Sequence, residues 1–192
     1  MSESNKNKLI ALFGESSAGK DSIQHWLMQV LKDGHKMISY TSRPPRDYER
    51  DGRQYHFITK EKFKEYIEQG KMLEYTYFNN WYYGTLEDEL QPRKFNIGVF
   101  NPMGIRFLLQ YSDKIDVLPV WIKADEKIRL VRSLEREASP NCEEICRRFL
   151  ADKYDFSQID FDYEIYLNND DKQEYYGILN RPKVKAFLEG QI

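Results

Sequence analysis

Gly14-Glu15-Ser16-Ser17-Ala18-Gly19-Lys20-Asp21-Ser22 directly follows the apolar run Leu9-Ile10-Ala11-Leu12-Phe13. The apolar run is typical of a short buried strand, and the residues after Ser22 have helical spacing. A glycine-bounded loop between a strand and a helix is the context of a P-loop, whose backbone N–H groups point at phosphate oxygens. The positive end of the following helix strengthens that field. We therefore predict a phosphate-binding loop, with Lys20 reaching the β- and γ-phosphates of a nucleotide.

The last position of the motif G-x-x-x-x-G-K-[ST] differs in this chain. Asp21 stands where a hydroxyl normally holds Mg²⁺, and Ser22 comes one residue late. Two interpretations stay open. In the first, Asp21 supplies a carboxylate to the metal, directly or through water. In the second, Ser22 or water completes the metal shell and Asp21 caps the helix.

Composition excludes several classes of protein. The chain has 192 residues and a net charge of -2, and 31% of its residues are charged. These values predict one domain without a basic surface for nucleic acid. No apolar run approaches the roughly 18 residues of a membrane span, and the polar start lacks a signal-peptide core, so we expect a cytoplasmic location. We interpret Cys142 and Cys146 as structural or incidental thiols, because no further Cys or His stands near them.

Alternating strand and helix patterns predict the fold class. Strands are expected at 9–13, 37–40, 55–58, 72–78, 81–83, 95–100, 117–122 and 163–167. Helices are expected at 21–33, 61–69, 104–111, 124–137 and 143–153, and from 172 onward with an interruption near Pro182. The alternation indicates an α/β protein with a mostly parallel sheet covered by helices on both faces. The tyrosine-rich stretch 37–90 breaks the alternation and predicts an inserted lobe.

A second group of chemically informative residues lies in that stretch. Arg43 and Arg46 flank two prolines, and such a stiffened pair can fork around one phosphate because guanidinium planes match phosphate oxygens. Tyrosine hydroxyls add donors to the same anion. A glutamate, Glu74, and small hydroxyl side chains are suited to reading the edge of a base.

Together these stretches resemble the guanylate kinase family of nucleoside monophosphate kinases. The resemblance runs from Leu9 to about Asp171 and covers most of the chain. It is carried by the P-loop and by Thr41-Ser42-Arg43-Pro44-Pro45-Arg46, Asp51-Gly52, Tyr55-His56-Phe57, Leu73-Glu74 and Tyr82-Tyr83-Gly84-Thr85. Arg132, Arg136 and Arg148 are similar to the arginines of that family's lid, and Asn168 to the asparagine beside the donor's adenine.

The resemblance implies a role for each matching residue. Lys20, Arg136 and Arg148 would act on the transferring phosphoryl group. ATP would be bound by Gly14, Ser16, Ser17, Ala18, Gly19, Lys20, Asp21, Ser22, Arg132 and Asn168, with Asp21 or Ser22 serving Mg²⁺. The acceptor monophosphate would be bound by Ser39, Arg43, Arg46, Tyr55, Glu74, Tyr83, Gly84, Thr85 and Asn101.

The resemblance also implies an organisation and a reaction. We expect one domain built on a P-loop NTPase-type parallel sheet, with a core of 8–36, 95–124 and 154–192. A mixed α/β nucleotide-monophosphate-binding lobe would span 37–94, and a helical lid would span 125–153. The expected reaction transfers the γ-phosphate of ATP to GMP or dGMP. A monomer or a homodimer would serve equally.

One segment departs from the family's pattern. The family carries Asp-x-Asp-x-x-Gly where this chain reads Val99-Phe100-Asn101-Pro102-Met103-Gly104. The first acid lies near the metal in that family, and the second helps to read guanine. Asn101 can still accept from an exocyclic amine, although without charge assistance. Two alternatives therefore stay open: a monophosphate kinase with altered or broad base choice, and a non-catalytic binding module.

Overall fold

The computed structural model describes residues 6–46, 49–78, 80–92, 94–111, 113–136, 138–167 and 175–189. Its strands are β1 (Asn7–Phe13), β2 (Gly34–Lys36), β3 (Tyr40–Thr41), β4 (His56–Phe57), β5 (Met72–Phe78), β6 (Trp81–Leu86), β7 (Phe95–Val99), β8 (Ile115–Lys123) and β9 (Glu164–Leu167). Its α-helices are α1 (Lys20–Val30), α2 (Lys60–Glu68), α3 (Pro102–Leu109), α4 (Glu126–Glu135), α5 (Cys142–Ser157), α6 (Tyr175–Leu179) and α7 (Pro182–Glu189).

Five parallel strands form the central sheet in the order β2-β7-β1-β8-β9. The middle strand β1 is buried on both faces. Ile10 and Leu12 pack into one apolar cluster, and Leu9, Ala11 and Phe13 pack into another on the opposite face. A continuous apolar run is what a strand covered by helices on both sides requires. The expected α/β class with a parallel sheet flanked by helices is confirmed.

The P-loop lies at the carboxyl edge of this sheet. It follows β1, and the segment that contains Asn101 follows the neighbouring strand β7. Open parallel sheets bind ligands at this edge, because the loops after the strands gather there.

A second, mixed sheet lies within residues 37–94, with strand order β4-β3-β6-β5. β3 and β4 are parallel, whereas the other neighbouring pairs are antiparallel. Helix α2 covers this sheet through the fully buried Phe63, whose ring stacks on Tyr82 with centroids 5.2 Å apart. The predicted hairpin is present, with Asn80 in the left-handed region at φ 66°.

Several element boundaries differ from the sequence predictions. Helix α1 ends at Val30, because Leu31 is extended, and Gly34 begins β2 opposite Phe95. Helix α3 begins at Pro102, two residues earlier than predicted, because the Asn101 side chain caps it by accepting from Gly104 N–H. Helix α5 continues to Ser157, past the predicted end at residue 153.

Pro182 begins α7, so the predicted interruption of the last helical region is confirmed. Within the described ranges, no helix is long and apolar enough to span a membrane. Cys142 and Cys146 are free thiols on the exposed surface of α5.

Candidate active site

The backbone of the P-loop demands glycine at its first position. A Cβ on Gly14 would lie 2.2 Å from the carbonyl oxygen of Ile122. Gly19, at φ 97°, is the N-cap of α1, and Ser17 is also left-handed at φ 60°. These left-handed residues turn the chain sharply into α1, as a loop of inward-facing amides requires.

Lys20 lies back across the loop that precedes it. Its Nζ donates to the carbonyl oxygens of Gly14 at 2.8 Å and Glu15 at 3.0 Å. Burial lowers the pKa of Lys20, while the nearby negative charges of Asp21, Asp152 and Glu15 act in the opposite direction. The ammonium group of Lys20 is therefore held against the backbone at the start of the P-loop.

Helices α4 and α5 contact the P-loop at Ser16 and Ser17. Arg136 Nη2 donates to Ser17 Oγ at 2.8 Å, and Arg132 Nη1 donates to Ser17 O at 3.4 Å. Ser17 Oγ also lies 2.7 Å from Ser133 Oγ. The Ser133 hydroxyl donates to the carbonyl oxygen of Arg129. Two of the three predicted lid arginines, Arg132 and Arg136, thus contact the predicted nucleotide-binding loop.

An acidic residue that the sequence analysis missed accepts a hydrogen bond from one backbone N–H of the P-loop. Ser16 N–H donates to Asp152 Oδ2 at 2.7 Å, across 136 positions of sequence. Ser133 was missed as well. Both residues lie in helices whose spacing indicates only packing, so no local pattern distinguishes them.

The two arginines of the tyrosine-rich segment hold a carboxylate. Arg43 Nη2 donates to both carboxylate oxygens of Glu49, at 2.9 and 2.8 Å. Arg46 contributes its backbone N–H at 2.8 Å and its guanidinium at 3.9 Å. Glu49 is an anion at the point where the sequence predicts the acceptor's phosphate. An acid three residues after Arg46 was the available signal for it.

Tyr55 connects this anion site with the P-loop electrostatically. Its ring packs edge-on against Tyr83, with centroids 6.2 Å apart. Burial raises the pKa of Tyr55 to about 12, and the negative charge of Asp21 is the next cause. Asp21 is in the first turn of α1, so the negative charge at the start of that helix acts on the Tyr55 hydroxyl.

One cavity is lined by residues of the P-loop and of the paired-arginine segment. Ser16 and Ser17 of the P-loop lie along it with Arg46, Arg136 and Arg148. An adjoining cavity of about 450 Å³ is lined by Arg43, Arg46, Tyr83, Arg147 and Arg148, among others. Arg148 Nε is 3.2 Å from Glu144 Oε1, one turn earlier on α5. The P-loop and the paired arginines therefore face one another across a single cleft.

A buried carboxyl marks the predicted base-binding end. Glu74 is 5% exposed, and its Oε1 accepts from Thr85 Oγ1 at 2.8 Å, which in turn lies 3.0 Å from Ser39 Oγ. Burial raises the pKa of Glu74 to about 7, partly offset by the Thr85 hydrogen bonds. The structure thus brings together Ser39, Glu74 and Thr85, three of the residues predicted to bind the acceptor monophosphate. Gly84 lies opposite Tyr75 in the sheet beside them.

Asn101 lies beside Glu74, but its side-chain oxygen accepts a hydrogen bond from the helix that follows it. Asn101 Oδ1 accepts from Gly104 N–H at 2.7 Å, and Nδ2 donates to Thr76 Oγ1 at 3.1 Å. A Cβ on Gly104 would lie 2.8 Å from Glu74 Oε2 and 3.4 Å from Asn101 Oδ1, so the two oxygens flank the same spot. The oxygen expected to accept from a base amine is already engaged as a helix cap.

Asp21 and Ser22, the predicted metal ligands, are both exposed in the first turn of α1. The N-cap of this helix is Gly19, which has no side chain, and Asp21 is an acidic residue of the first turn, so both interpretations of Asp21 stay open. In the part of the chain that the structure describes, no three acidic, His or Cys side chains cluster as a metal cage. Asn168 lies outside the described residues.

A P-loop facing an arginine-lined anion site across one cleft defines a class of protein: a P-loop kinase whose acceptor is itself a small phosphorylated molecule. A family model described as "Guanylate kinase" matches residues 6–183. The chain belongs to the guanylate kinase family, whose members are ATP-dependent nucleoside monophosphate kinases.

Several relatives match over most of their own length. A guanylate kinase of Wigglesworthia glossinidia brevipalpis is 33% identical over 177 residues, covering 85% of this chain and 84% of that protein. A guanylate kinase of Wolbachia pipientis wMel is 30% identical and covers 98% of this chain and 97% of that protein. The crystal structure of guanylate kinase from Anaplasma phagocytophilum shares the fold, with a TM-score of 0.65, 16% identity and coverage of 96% and 89% of the two chains.

Proposed function

We propose that this chain transfers the γ-phosphate of ATP to GMP or dGMP in the cleft between the P-loop and the paired arginines. The observation that carries the proposal is the shared cavity, which is lined by Ser16 and Ser17 of the P-loop together with Arg46, Arg136 and Arg148. Family membership supports the same reaction, and neither a broad base choice nor a non-catalytic module is favoured.

At the donor end, backbone amides of the P-loop bind the phosphates of ATP. Gly14, Ala18 and Gly19 give the loop its curvature, and Lys20 leaves the carbonyl oxygens of Gly14 and Glu15 to contact the β- and γ-phosphates. Arg132 lies beside the same loop. Asn168 is proposed to contact the adenine on the grounds of the sequence resemblance alone.

At the acceptor end, the phosphate of GMP takes the place that Glu49 holds beside Arg43 and Arg46. Two guanidinium groups bind a phosphate at least as well as a carboxylate, because the phosphate brings more charge and more acceptor oxygens. Tyr55 and Tyr83 add hydroxyl donors. Glu74, Thr85, Ser39 and Asn101 contact the base.

The transfer itself needs positioning and positive charge rather than covalent catalysis. The acceptor phosphate is already anionic at neutral pH, so no general base has to remove a proton. Lys20, Arg136 and Arg148 stabilise the negative charge on the phosphoryl group as it moves between the two anion sites. Closure of the lid helices over the cleft excludes water, which suppresses hydrolysis of ATP.

Mg²⁺ fits the residues at the start of α1. One carboxylate and one hydroxyl, both exposed beside the P-loop, suit a cation that binds through one or two protein ligands and the substrate's phosphates. When bound, the ion neutralises charge on the β- and γ-phosphates. We propose that Asp21 holds it, directly or through water, with Ser22 as the alternative. Asp21→Ala should raise the Mg²⁺ concentration for half-maximal ATP binding, and an unchanged metal dependence would refute this role.

We further propose how the chain is organised. Core residues 8–36, 95–124 and 154–192, lobe residues 37–94 and lid residues 125–153 would act as one domain, as a monomer or a homodimer. ATP and nucleoside monophosphates are its small-molecule partners, and the cytoplasm is the proposed location because it supplies both.

The test is a direct assay of phosphoryl transfer. The purified chain is incubated with ATP and, separately, GMP, dGMP, AMP and IMP, and diphosphates are separated by ion exchange. We expect GDP and dGDP to form fastest, and a matched Lys20→Ala sample to form almost none. Absence of any diphosphate from wild type would refute the kinase function and favour a binding module, whereas equal rates on AMP would refute the guanine preference.

A further inference from the structure

One side chain of the lid helix α5 lies in the P-loop itself. Ser16 N–H donates to Asp152 Oδ2 at 2.7 Å. Carboxylate and phosphate oxygens are both anionic acceptors for backbone N–H groups. The carboxylate of Asp152 therefore occupies a place suited to a phosphate oxygen of ATP, and its charge lies close enough to act on Lys20.

Arg129 lies close enough to Asp152 to become its second partner. Arg129, on α4, is 3% exposed, and its guanidinium stacks over Phe149 with the ring centroid 4.8 Å away. Arg129 Nη1 is 4.0 Å from Asp152 Oδ2, which is too far for a hydrogen bond. Among the residues that the structure describes, no hydrogen-bond acceptor is within reach of Nε or Nη1 of Arg129. Buried N–H donors on a charged group are costly to leave without acceptors, so Arg129 offers Asp152 a favourable alternative.

We propose that Asp152 is a positioning residue that exchanges partners: it accepts from Ser16 N–H while the P-loop holds no nucleotide, and from the Arg129 guanidinium once a phosphate of ATP takes that N–H. The proposal rests on the proposed function, because it assumes that ATP binds at this loop. A small movement of the carboxylate suffices, since both partners lie within 4.0 Å of the same oxygen.

The exchange links donor binding to the position of the lid. Helix α4 carries Arg129 together with Arg132, which contacts Ser17, and Arg136 follows at its end. When Asp152 pairs with Arg129, α4 is fixed against α5 with both arginines beside the donor's phosphates. Without nucleotide, the carboxylate competes for the loop and lowers the apparent affinity for ATP.

The first test measures nucleotide affinity in Asp152→Asn. The amide keeps the size of the side chain, and its oxygen can still accept from the Arg129 guanidinium in the ATP-bound protein, but it carries no charge that repels a triphosphate. We expect the dissociation constant for ATP, measured by calorimetry, to fall about tenfold, while that for GMP stays the same. Asp155→Asn removes the same charge three residues later on α5 and should leave both constants unchanged.

An ATP affinity that is unchanged or weaker in Asp152→Asn, or one that tightens equally in Asp155→Asn, would overturn the proposal. Failure of wild type to bind ATP at all would instead refute the proposed function. The two failures are therefore distinguishable within one set of titrations.

The second test asks whether the pair with Arg129 forms on ATP binding. A double-mutant cycle compares wild type, Asp152→Asn, Arg129→Lys and the double variant. The quantity compared is the free energy of unfolding, measured in urea. We expect the coupling between the two positions to be larger with saturating ATP than without nucleotide. Equal coupling in both conditions would refute the exchange, because a merely structural ion pair does not respond to ATP.

Discussion

Both anion sites of this cleft hold a carboxylate from the chain, but the two carboxylates come from very different places. At the arginine pair, Glu49 is six residues from Arg43 and three from Arg46. At the P-loop, Asp152 comes from another helix, 136 positions from Ser16. Acceptor binding therefore needs a rearrangement within one short segment, whereas donor binding needs a side chain of the lid to leave the loop. The carboxylate at the donor end thus comes from a lid helix, whereas the one at the acceptor end comes from the same segment as its arginines.

The largest effect is expected for Lys20→Ala, which removes the ammonium that lies across the P-loop. Loss of a preorganised charge at the transferring group should reduce kcat by about 10³-fold or more. Steady-state kinetics with saturating ATP and GMP measures this. Lys64→Ala, an exposed lysine of α2, is the control and should keep full activity. A tenfold loss or less in Lys20→Ala would contradict the role assigned to the P-loop.

Arg43→Ala should weaken binding of GMP without weakening binding of ATP. Charge-assisted hydrogen bonds contribute about 1.5–3 kcal/mol each, so the KM for GMP should rise about 10- to 100-fold while the KM for ATP changes little. Initial rates with each substrate varied in turn provide the measurement. Equal increases for both substrates would argue against a separate acceptor site.

Glu49→Gln tests the same site from the other side, because Glu49 is the carboxylate that Arg43 binds. It leaves both arginines in place and removes the competing charge beside them. The dissociation constant for GMP should therefore fall several-fold, with ATP unaffected. A weaker affinity for GMP would mean that Glu49 orients the arginines rather than competes with the phosphate.

At the base-binding end, Glu74 predicts a pH dependence of stability in the ligand-free protein. Its pKa rises from 4.5 to about 7 on folding, so the folded state binds more protons than the unfolded state between those values. The stabilisation is complete below pH 4.5 and is lost as the pH rises through about 7. At about 1.4 kcal/mol per pH unit, the free energy of unfolding should fall by up to about 3 kcal/mol. Urea unfolding of wild type and Glu74→Gln from pH 5 to 8 tests this; parallel profiles would contradict it.

Asn101→Asp is expected to change base preference rather than the overall rate. Aspartate can keep the cap on Gly104 N–H and adds a charge beside Glu74, which strengthens acceptance from the 2-amino group of guanine. The preference for GMP over IMP, measured as the ratio of kcat/KM values, should rise roughly tenfold, or 1–2 kcal/mol. A ratio that does not change would show that this position does not read the base.

Much of the fold and part of the site follow from local sequence. The P-loop, the buried strand β1 and the hairpin of β5 and β6 were predictable because each has its own pattern of glycine, apolar or turn residues. Asn101 followed by proline was a readable helix cap, since asparagine at the N-cap and proline at the first turn favour a helix start. The predicted end of the first helix at residue 33 was too late, because Leu31 is already extended and Gly34 pairs with Phe95 in the sheet.

Asp152 and Arg129 lay beyond sequence reasoning for a different reason. Their roles depend on the packing of α4 against α5 and of both helices against the P-loop. A polar residue on a helix has the same local pattern whether it faces water or a partner 136 positions away. Only the assembled structure distinguishes the two.

The most direct test of the shared cleft is binding of a single molecule that contains both nucleotides, adenosine and guanosine joined through five phosphates. If the P-loop and the paired arginines face one another, this compound should inhibit competitively against both ATP and GMP. It should also bind at least about 10²-fold more tightly than either, because the second end binds intramolecularly. Competition against only one substrate, with no gain in affinity, would contradict the account.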